Sequence, residues 1–373
     1  MAGVSEFAVS GIMPSMEIAS TVQRKIIHCD CDCFFAAVEM RDDATLVGLP
    51  VAVGGAERRG VVAACNYEAR EFGVHSAMPM GQAMRLCPNL VVVPPNFEKY
   101  RDISLQIRKV FFDYTDHVEP LSLDEAFLDV TGSEQCGGSA TLMAREIKAR
   151  IRKEVGITVS AGAAPNKFLA KIASDWEKPD GLFVITPAQV DEFVRKLPVG
   201  KIFGVGRATE KKLNALGVTH CDDLRAITLP VLVERFGAMG KRLYELSRGI
   251  DHREVKSDRR RKSLSVEHTY LDDLVTLPDC LQELNNLYEK FVARLARVDS
   301  SYQVGRQFMK LRFNDFTTTT IERNFSAGPV LDSYKILCEE AWQRGKRPVR
   351  LIGLGVRFDD VVESIDAAQT ELF

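Results

Sequence analysis

Two apolar segments that carry acidic residues constrain this chain more than any other feature of its sequence. The first, KIIHCDCDCFF, spans residues 25–35, and the second, LSLDEAFLDV, spans residues 121–130. Both have the composition of buried strands, in which an unpaired carboxylate is expensive to bury. A shared cation removes that cost, and oxygen ligands suit Mg²⁺ or Mn²⁺. We therefore expect Asp30, Asp124 and Glu125 to bind divalent ions.

The same residues also have a simpler interpretation. Asp before a turn and Asp-Glu at a strand end are more often caps or solvated edges than metal ligands. If these carboxylates instead hold two metal ions, the ions would bind a nucleoside triphosphate and activate a hydroxyl.

Strand periodicity places Asp32 on the same face as Asp30. It places Cys29, Cys31 and Cys33 on the opposite face, where we expect them to be small buried hydrophobic side chains rather than ligands of a metal cluster.

Residues 28–39, HCDCDCFFAAVE, and residues 122–126, SLDEA, resemble the catalytic motifs of the Y-family translesion DNA polymerases, and most closely those of the bacterial DinB type. The resemblance extends from about Arg24 to Phe373. It implies a DNA-directed DNA polymerase that adds deoxynucleotides to a primer 3′ end by two-metal phosphoryl transfer. It also implies low fidelity, no proofreading and bypass of damaged template bases.

The resemblance assigns roles to individual residues. Asp30 and Asp124 would bind two Mg²⁺ ions, with Mn²⁺ as an alternative, and Glu125 would bind the ion that activates the primer hydroxyl. The backbone carbonyl of Cys31 would complete the other ion's site, whereas the family gives Asp32 no metal role. Phe35 would be the steric gate that excludes a ribose 2′-hydroxyl, and we assign Phe34 to core packing.

Three further residues are expected to bind the incoming dNTP. Tyr67 and Arg70 stand three residues apart at a helix start, where a hydroxyl and a guanidinium together suit a phosphate. Lys171 lies on a mostly apolar helix. Without the family context Arg70 and Lys171 would be interpreted as surface residues. The resemblance makes Tyr67, Arg70 and Lys171 triphosphate ligands.

Composition limits the class of protein. The chain has 373 residues, 46% of them hydrophobic, which suggests two to four domains with real cores. Nine cysteines without framework spacing indicate reduced thiols in the cytoplasm. Residues 196–262 hold 16 Lys and Arg against 8 Asp and Glu, so this segment has a net charge of +8 in a chain whose total is −2. That local excess suggests a contact with a polyanion.

The predicted fold is a multidomain α/β and α+β right-hand polymerase. Its domains are expected to be a flexible leader (1–23), a palm with a mixed sheet (24–33 and 98–180), small fingers (34–97), a helical helix-hairpin-helix thumb (181–256), a basic linker (257–263), a βαββαβ little finger (264–360) and a tail (361–373). No export signal or membrane span is evident. We expect a monomer in the bacterial cytoplasm, associated with the nucleoid.

Several residues are expected to contact primer-template DNA. A Gly-Val-Gly loop opening a helix brings backbone N–H groups close to a phosphate. Gly204, Gly206, Arg207 and Lys211 form this thumb element, and Lys310, Arg312, Arg350 and Arg357 are spaced to line one face of the little-finger sheet. The C-terminal segment QTELF resembles the peptide by which bacterial polymerases bind the β sliding clamp, through Gln369, Leu372 and Phe373.

Two other classes of protein remain open at this point. A nucleotidyl cyclase uses paired aspartates on a similar sheet but needs neither the glycine hairpin at 204–206 nor the C-terminal peptide. A non-catalytic protein that binds DNA or the clamp needs those two features but neither Asp124 nor Glu125. Primer extension with dNTP and Mg²⁺ separates the three classes.

Overall fold

A computed structural model describes residues 23–258, 260–325 and 328–359. The helices and strands in this part of the chain are, in order, β1 (Ile26–Cys31), α1 (Phe34–Asp42), β2 (Val51–Gly54), β3 (Val62–Cys65), α2 (Tyr67–Glu71), α3 (Met80–Leu86), β4 (Val91–Val93), α4 (Phe97–Phe112), β5 (Val118–Pro120), β6 (Glu125–Asp129), α5 (Ala140–Val155), β7 (Val159–Ala164), α6 (Lys167–Trp176), β8 (Leu182–Val184), α7 (Val190–Arg195), α8 (Arg207–Asn214), α9 (Cys221–Arg225), α10 (Leu229–Phe236), α11 (Ala238–Leu246), β9 (Ser263–Leu274), α12 (Leu277–Leu295), β10 (Val304–Phe313), β11 (Thr318–Arg323), α13 (Leu331–Gln343) and β12 (Val349–Phe358).

The chain forms two compact units. Among the described residues, the first contains 23–30 together with Ile107–Glu154 and Val159–Val255, and the second contains Cys31–Gln106, Val155–Thr158 and those from Lys256 to Asp359. The boundaries of the palm, fingers, thumb and little finger remain a prediction.

The first unit is built on a five-stranded sheet with the order β5-β6-β1-β7-β8. Strand β1 pairs antiparallel with β6, and Asp30 lies directly opposite Glu125. Helix α6 begins after Asn166, whose side chain accepts a hydrogen bond from the Leu169 N–H. A Cβ on Gly162 of β7 would lie 2.2 Å from the Ala170 carbonyl oxygen, so this glycine allows α6 to pack directly on the sheet.

Short helices complete the first unit. Helices α7 to α11 share a core with α6, in which Val194, Leu213, Leu224, Leu232 and Leu243 are fully buried. Gly204 precedes α8 with a φ of +95°, a conformation that favours glycine, and Gly206 is the N-cap of α8. The predicted loop-to-helix element is therefore present.

The second unit contains two sheets. The smaller has the order β3-β2-β4, with β2 antiparallel to β3 and parallel to β4. The larger has the order β11-β10-β12-β9 and, with α12 and α13, forms the predicted βαββαβ arrangement. Met309, Leu311, Ile352 and Leu354 from the sheet share one buried core with both helices.

Two details of the predicted site strands are wrong. Strand β1 ends at Cys31, so Asp32 lies outside it and does not continue the face that carries Asp30. Its backbone N–H donates instead to the Thr158 carbonyl. Asp124 precedes β6 and is half-buried, like Glu125, rather than enclosed among apolar neighbours. In the described ranges no helix is both long and apolar enough to cross a membrane.

Candidate active site

The acidic centre of the first unit is created by strand pairing. Asp30 and Glu125 occupy opposite positions of the β1–β6 ladder, where directly opposed side chains on one face are close enough to interact. Asp124 precedes Glu125 in the chain, and its charge contributes to the environment of Asp30. The Ser122 hydroxyl donates to Asp124 Oδ1 at 2.5 Å and holds that side chain at the strand entrance. The fold thus places Asp30 opposite Glu125, with Asp124 close enough for its charge to act on Asp30.

Two lysines lie against these carboxylates. Lys178 Nζ is 2.5 Å from Asp30 Oδ1 and 3.2 Å from Asp175 Oδ1. Lys171 Nζ forms an ion pair with Glu125 Oε2. Because α6 packs directly on the sheet, its Lys171 reaches the same face as the carboxylates. The sequence analysis did not identify Lys178 and Asp175. The only sequence signal is an acid and a base three residues apart at the end of an apolar helix.

The environment shifts the two opposed carboxylates in opposite directions. Burial raises the pKa of Asp30 to about 6; Lys178 opposes this shift, and the nearby charges of Asp175 and Asp124 add to it. Burial by itself raises the pKa of Glu125, but the contacts with His28 and Lys171 and the charge of Lys171 outweigh it and lower the pKa to about 2. Glu125 is therefore ionised at neutral pH, whereas the pKa of Asp30 lies close to neutral pH.

His28 connects this site to α6. Its fully buried ring lies with Nδ1 2.8 Å from Ser174 Oγ and Nε2 3.3 Å from Glu125 Oε2. Burial lowers the pKa of His28 to about 4, although the contact with the Glu125 carboxylate opposes the shift. The imidazole is neutral at physiological pH. Sequence reasoning missed it because neither contact is local in the chain.

The residues fit divalent ions by charge and donor type. In residues 23–258, 260–325 and 328–359, no group of three or more His, Cys, Asp and Glu side chains is arranged as a preformed metal centre. However, burial keeps the pKa of Asp30 raised although Lys178 lies against it, so the lysine alone does not offset the cost of burying the ionised carboxylate. Carboxylate oxygens with uncompensated charge are suitable ligands for Mg²⁺ or Mn²⁺.

The second unit holds the other predicted nucleotide residues. Phe35 is half-buried, and its ring stacks on Tyr100 with centroids 4.3 Å apart and planes at 16°, whereas Phe34 is buried in the core as predicted. Arg70 lies over the Tyr67 ring at 4.8 Å, so these two side chains do project together. Asp32 accepts hydrogen bonds from the Thr158 hydroxyl at 2.7 Å and the Tyr67 hydroxyl at 3.4 Å.

The predicted DNA contacts can be located in part. Strand register and alternation put Lys310, Arg312 and Arg357 on the face of the larger sheet opposite its buried core, which we call the open face. Lys310 Nζ is 2.8 Å from Glu267, and Arg357 Nε is 2.5 Å from Glu322, so the open face is of mixed charge rather than basic throughout. Arg350 lies beside a register shift, 4.8 Å over Phe316. Gln369, Leu372 and Phe373 lie outside the described residues.

Comparison with known proteins agrees with this architecture. Residues 29–175 match the model of the impB/mucB/samB family, residues 200–251 match the DNA polymerase-iota thumb domain, and residues 261–372 match the C-terminal domain of the impB/mucB/samB family. A DNA polymerase IV from Pseudomonas fluorescens (strain Pf0-1) is 56% identical over 352 residues, which cover 94% of this chain and 99% of that protein. Another, from Ectopseudomonas mendocina (strain ymp), is 57% identical over 91% of this chain and 96% of its own length.

Solved structures of DNA polymerases also resemble this chain. A Y-family DNA polymerase chimera superposes with a TM-score of 0.82 at 31% identity and covers 89% of this chain and 98% of its own. An insertion ternary complex of Dbh DNA polymerase has a TM-score of 0.64 at 29% identity, with 90% and 98% covered.

An acidic centre on a mixed sheet, followed by a helical domain and a βαββαβ domain, defines a nucleotidyltransferase of the polymerase class. The chain belongs to the Y-family of translesion DNA polymerases, in its bacterial DinB branch. It is a DNA-directed DNA polymerase, which acts on primer-template DNA with dNTP. Membership of the family implies dependence on divalent metal ions.

Proposed function

We propose that Asp30, Asp124 and Glu125 hold the two metal ions of the polymerase reaction and that these ions are Mg²⁺. The observation that carries the proposal is the cross-strand pairing of Asp30 with Glu125, beside Asp124. When bound, the ions activate the primer 3′-hydroxyl and neutralise charge on the triphosphate. The Cys31 carbonyl is proposed as a further ligand.

The chain's own residues orient the substrates. Lys171, whose ammonium already reaches the carboxylates, is proposed to move to the β- and γ-phosphates, where a cation stabilises the charge that develops during transfer. Tyr67 and Arg70 are proposed triphosphate ligands of the second unit, and Asp32 keeps the Tyr67 hydroxyl in place. Phe35 is proposed as the steric gate, and the Tyr100 ring, which stacks on it, is proposed to hold the Phe35 ring in position.

We also propose the four-domain organisation described above and the location of the DNA contacts. Backbone N–H groups at 204–206, with Arg207 and Lys211, would bind the phosphate backbone without regard to sequence. Lys310, Arg312 and Arg350 would bind DNA from the little finger. The C-terminal peptide would bind the β sliding clamp, and the protein would act as a monomer in the bacterial cytoplasm.

Primer extension with an Asp124 variant tests the site. Asp124→Ala should lower extension by roughly 10³-fold or more, because a carboxylate ligand of both ions is lost, with little change in DNA affinity. Asp113→Ala is the matched control, since Asp113 is an exposed aspartate that pairs with Arg150. Wild-type-like extension by Asp124→Ala would refute the assignment. Pyrophosphate release without DNA would favour a cyclase, and DNA binding without extension by the wild type would indicate a non-catalytic binder.

Ribonucleotide incorporation tests the gate. Phe35→Ala should lower discrimination against ribonucleotides by about 100-fold, because the ring no longer excludes a 2′-hydroxyl. Phe72→Ala, which removes an exposed ring elsewhere in the second unit, is the control. Unchanged discrimination in Phe35→Ala would place the gate at another residue.

Deletion of residues 369–373 tests the clamp peptide. Synthesis should fall only in reactions that contain the clamp, because the polymerase site is untouched. An equal fall in reactions without the clamp would argue against a clamp peptide.

A further inference from the structure

His28 is the only buried histidine of this chain. All six histidines lie in the described ranges, and the other five are exposed. A fully buried imidazole needs hydrogen-bond partners for both ring nitrogens. His28 is also not a residue to which the polymerase reaction assigned above gives any role.

Strand geometry fixes where the ring lies. His28 is two residues before Asp30 on β1 and lies opposite Phe127, so its side chain is on the same sheet face as Asp30 and Glu125. The ring packs 4.6 Å from the Phe127 ring. Glu125 is the diagonal neighbour of His28 across the ladder, within the reach of a long side chain. The imidazole is thus confined between the sheet and α6.

Its two nitrogens face different groups. Nδ1 is 2.8 Å from Ser174 Oγ. Nε2 lies 3.3 Å from Glu125 Oε2, but the geometry of this contact falls short of a hydrogen bond, so in the described part of the chain Nε2 is a buried nitrogen without a hydrogen-bond partner. The Ser174 hydroxyl also lies 2.8 Å from the Lys171 carbonyl, so its single proton has two possible acceptors.

The carboxylate selects between the two neutral tautomers. If Nδ1 carried the proton, the Nε2 lone pair would face a carboxylate oxygen, which is repulsive. If Nε2 carries it, the N–H faces the Glu125 carboxylate, which is attractive, and Nδ1 can accept a hydrogen bond from the Ser174 hydroxyl. Of the two neutral forms, the second is the one that the surroundings favour.

We propose that His28 is a positioning residue of the polymerase reaction: as the Nε2–H tautomer, held in place by Ser174, it directs its N–H at Glu125 and would donate a hydrogen bond to that carboxylate when the carboxylate is oriented for metal binding. The inference rests on the metal role proposed for Glu125. A histidine that fixes a ligating carboxylate acts as a supporting hydrogen-bond partner of a metal site, and loss of such partners typically weakens metal affinity by 10- to 100-fold.

The tautomer is measured first, in the metal-free protein. In spectra of ¹⁵N-histidine-labelled protein, we expect one imidazole to have the nitrogen chemical shifts of a neutral Nε2–H ring. Its signals should be missing from the spectrum of His28→Phe, which assigns them to His28. Ser174→Ala should shift or broaden that ring's signals, because Nδ1 loses its hydrogen-bond partner. An Nδ1–H tautomer for His28 in the wild type overturns the proposal without any reference to activity.

Metal affinity is measured next, by Mn²⁺ titration of the protein without DNA or dNTP. His28→Phe, which keeps a ring against Phe127 but has no donor, should raise the Mn²⁺ dissociation constant about tenfold. His28→Gln, whose amide N–H can replace Nε2–H, should restore most of the affinity. His117→Gln is the control, because His117 is exposed. In extension assays His28→Phe should lower kcat and leave the KM for dNTP unchanged.

The outcomes separate this inference from the proposed function. If Glu125→Gln retains full extension, the metal assignment fails and His28 has no such role. If Glu125→Gln abolishes extension while folded His28→Phe binds Mn²⁺ like the wild type, only the His28 inference fails. Should His28→Phe not fold, Ser174→Ala provides the test: unchanged imidazole signals and an unchanged Mn²⁺ affinity in this variant together contradict the proposal.

Discussion

The acidic centre of the first unit and the open face of the second both pair lysine with a carboxylate, but in different surroundings. Lys178 and Asp30 have side chains that are 19% and 17% exposed, whereas Lys310 and Glu267 are 27% and 50% exposed. In the first pair burial shifts the pKa of Asp30 to about 6. Exposed pairs are screened by water and salt and contribute little energy. Burial therefore determines whether the carboxylate of an ion pair has a shifted pKa or the pair only adds charges to a surface.

The largest expected effect in this comparison comes from Lys178→Met, measured against the same substitution of Lys310. Lys178→Met should lower primer extension about 100-fold at pH 7, because without its partner the pKa of Asp30 rises above about 6 and the carboxylate becomes largely protonated. The loss should shrink as the pH is raised to 9. Lys310→Met is the matched variant and should leave kcat unchanged. Similar kcat losses in both variants would remove the distinction between the two regions.

Metal-dependent stabilisation sharpens the comparison further. Mg²⁺ should raise the melting temperature by about 1 to 3 °C at pH 8, because the ion binds only the folded site. The increase should disappear as the pH falls through about 6, where Asp30 takes up a proton, while Glu125 stays ionised down to about 2. Sodium chloride of equal ionic strength is the control. A Mg²⁺ effect that is the same at pH 5 and pH 8 would exclude Asp30 as a ligand.

The smallest effect is expected on the open face. Arg312→Ala should weaken DNA binding a few-fold at low salt and reduce the slope of log affinity against log salt by about 1, because one phosphate contact is lost. Lys290→Ala removes an exposed lysine from α12, on the other side of the sheet, and should change neither quantity. Equal effects of the two variants would mean that the open face has no special role in binding DNA.

Most of the secondary structure follows from local sequence patterns. The βαββαβ order, the helix after Asn66 and the helix after Asn166 are all present, with ends shifted by a few residues. In both helices an Asn side chain accepts a hydrogen bond from a backbone N–H of the first turn, which is a local signal. The end of β1 at Cys31 agrees with the sequence, but the placement of Asp32 was less predictable, because Asp32 bonds with Thr158, far along the chain.

The sequence by itself determined the acidic residues, the order of helices and strands and the family, because these depend on residue types and spacings along the chain. Only the tertiary structure decided that Lys178 lies against Asp30 and that His28 lies between Ser174 and Glu125. Those partners are brought together by the order of strands in one sheet and by the packing of α6 on it. Their burial, and hence their pKa values, depends on that packing, which no local pattern encodes.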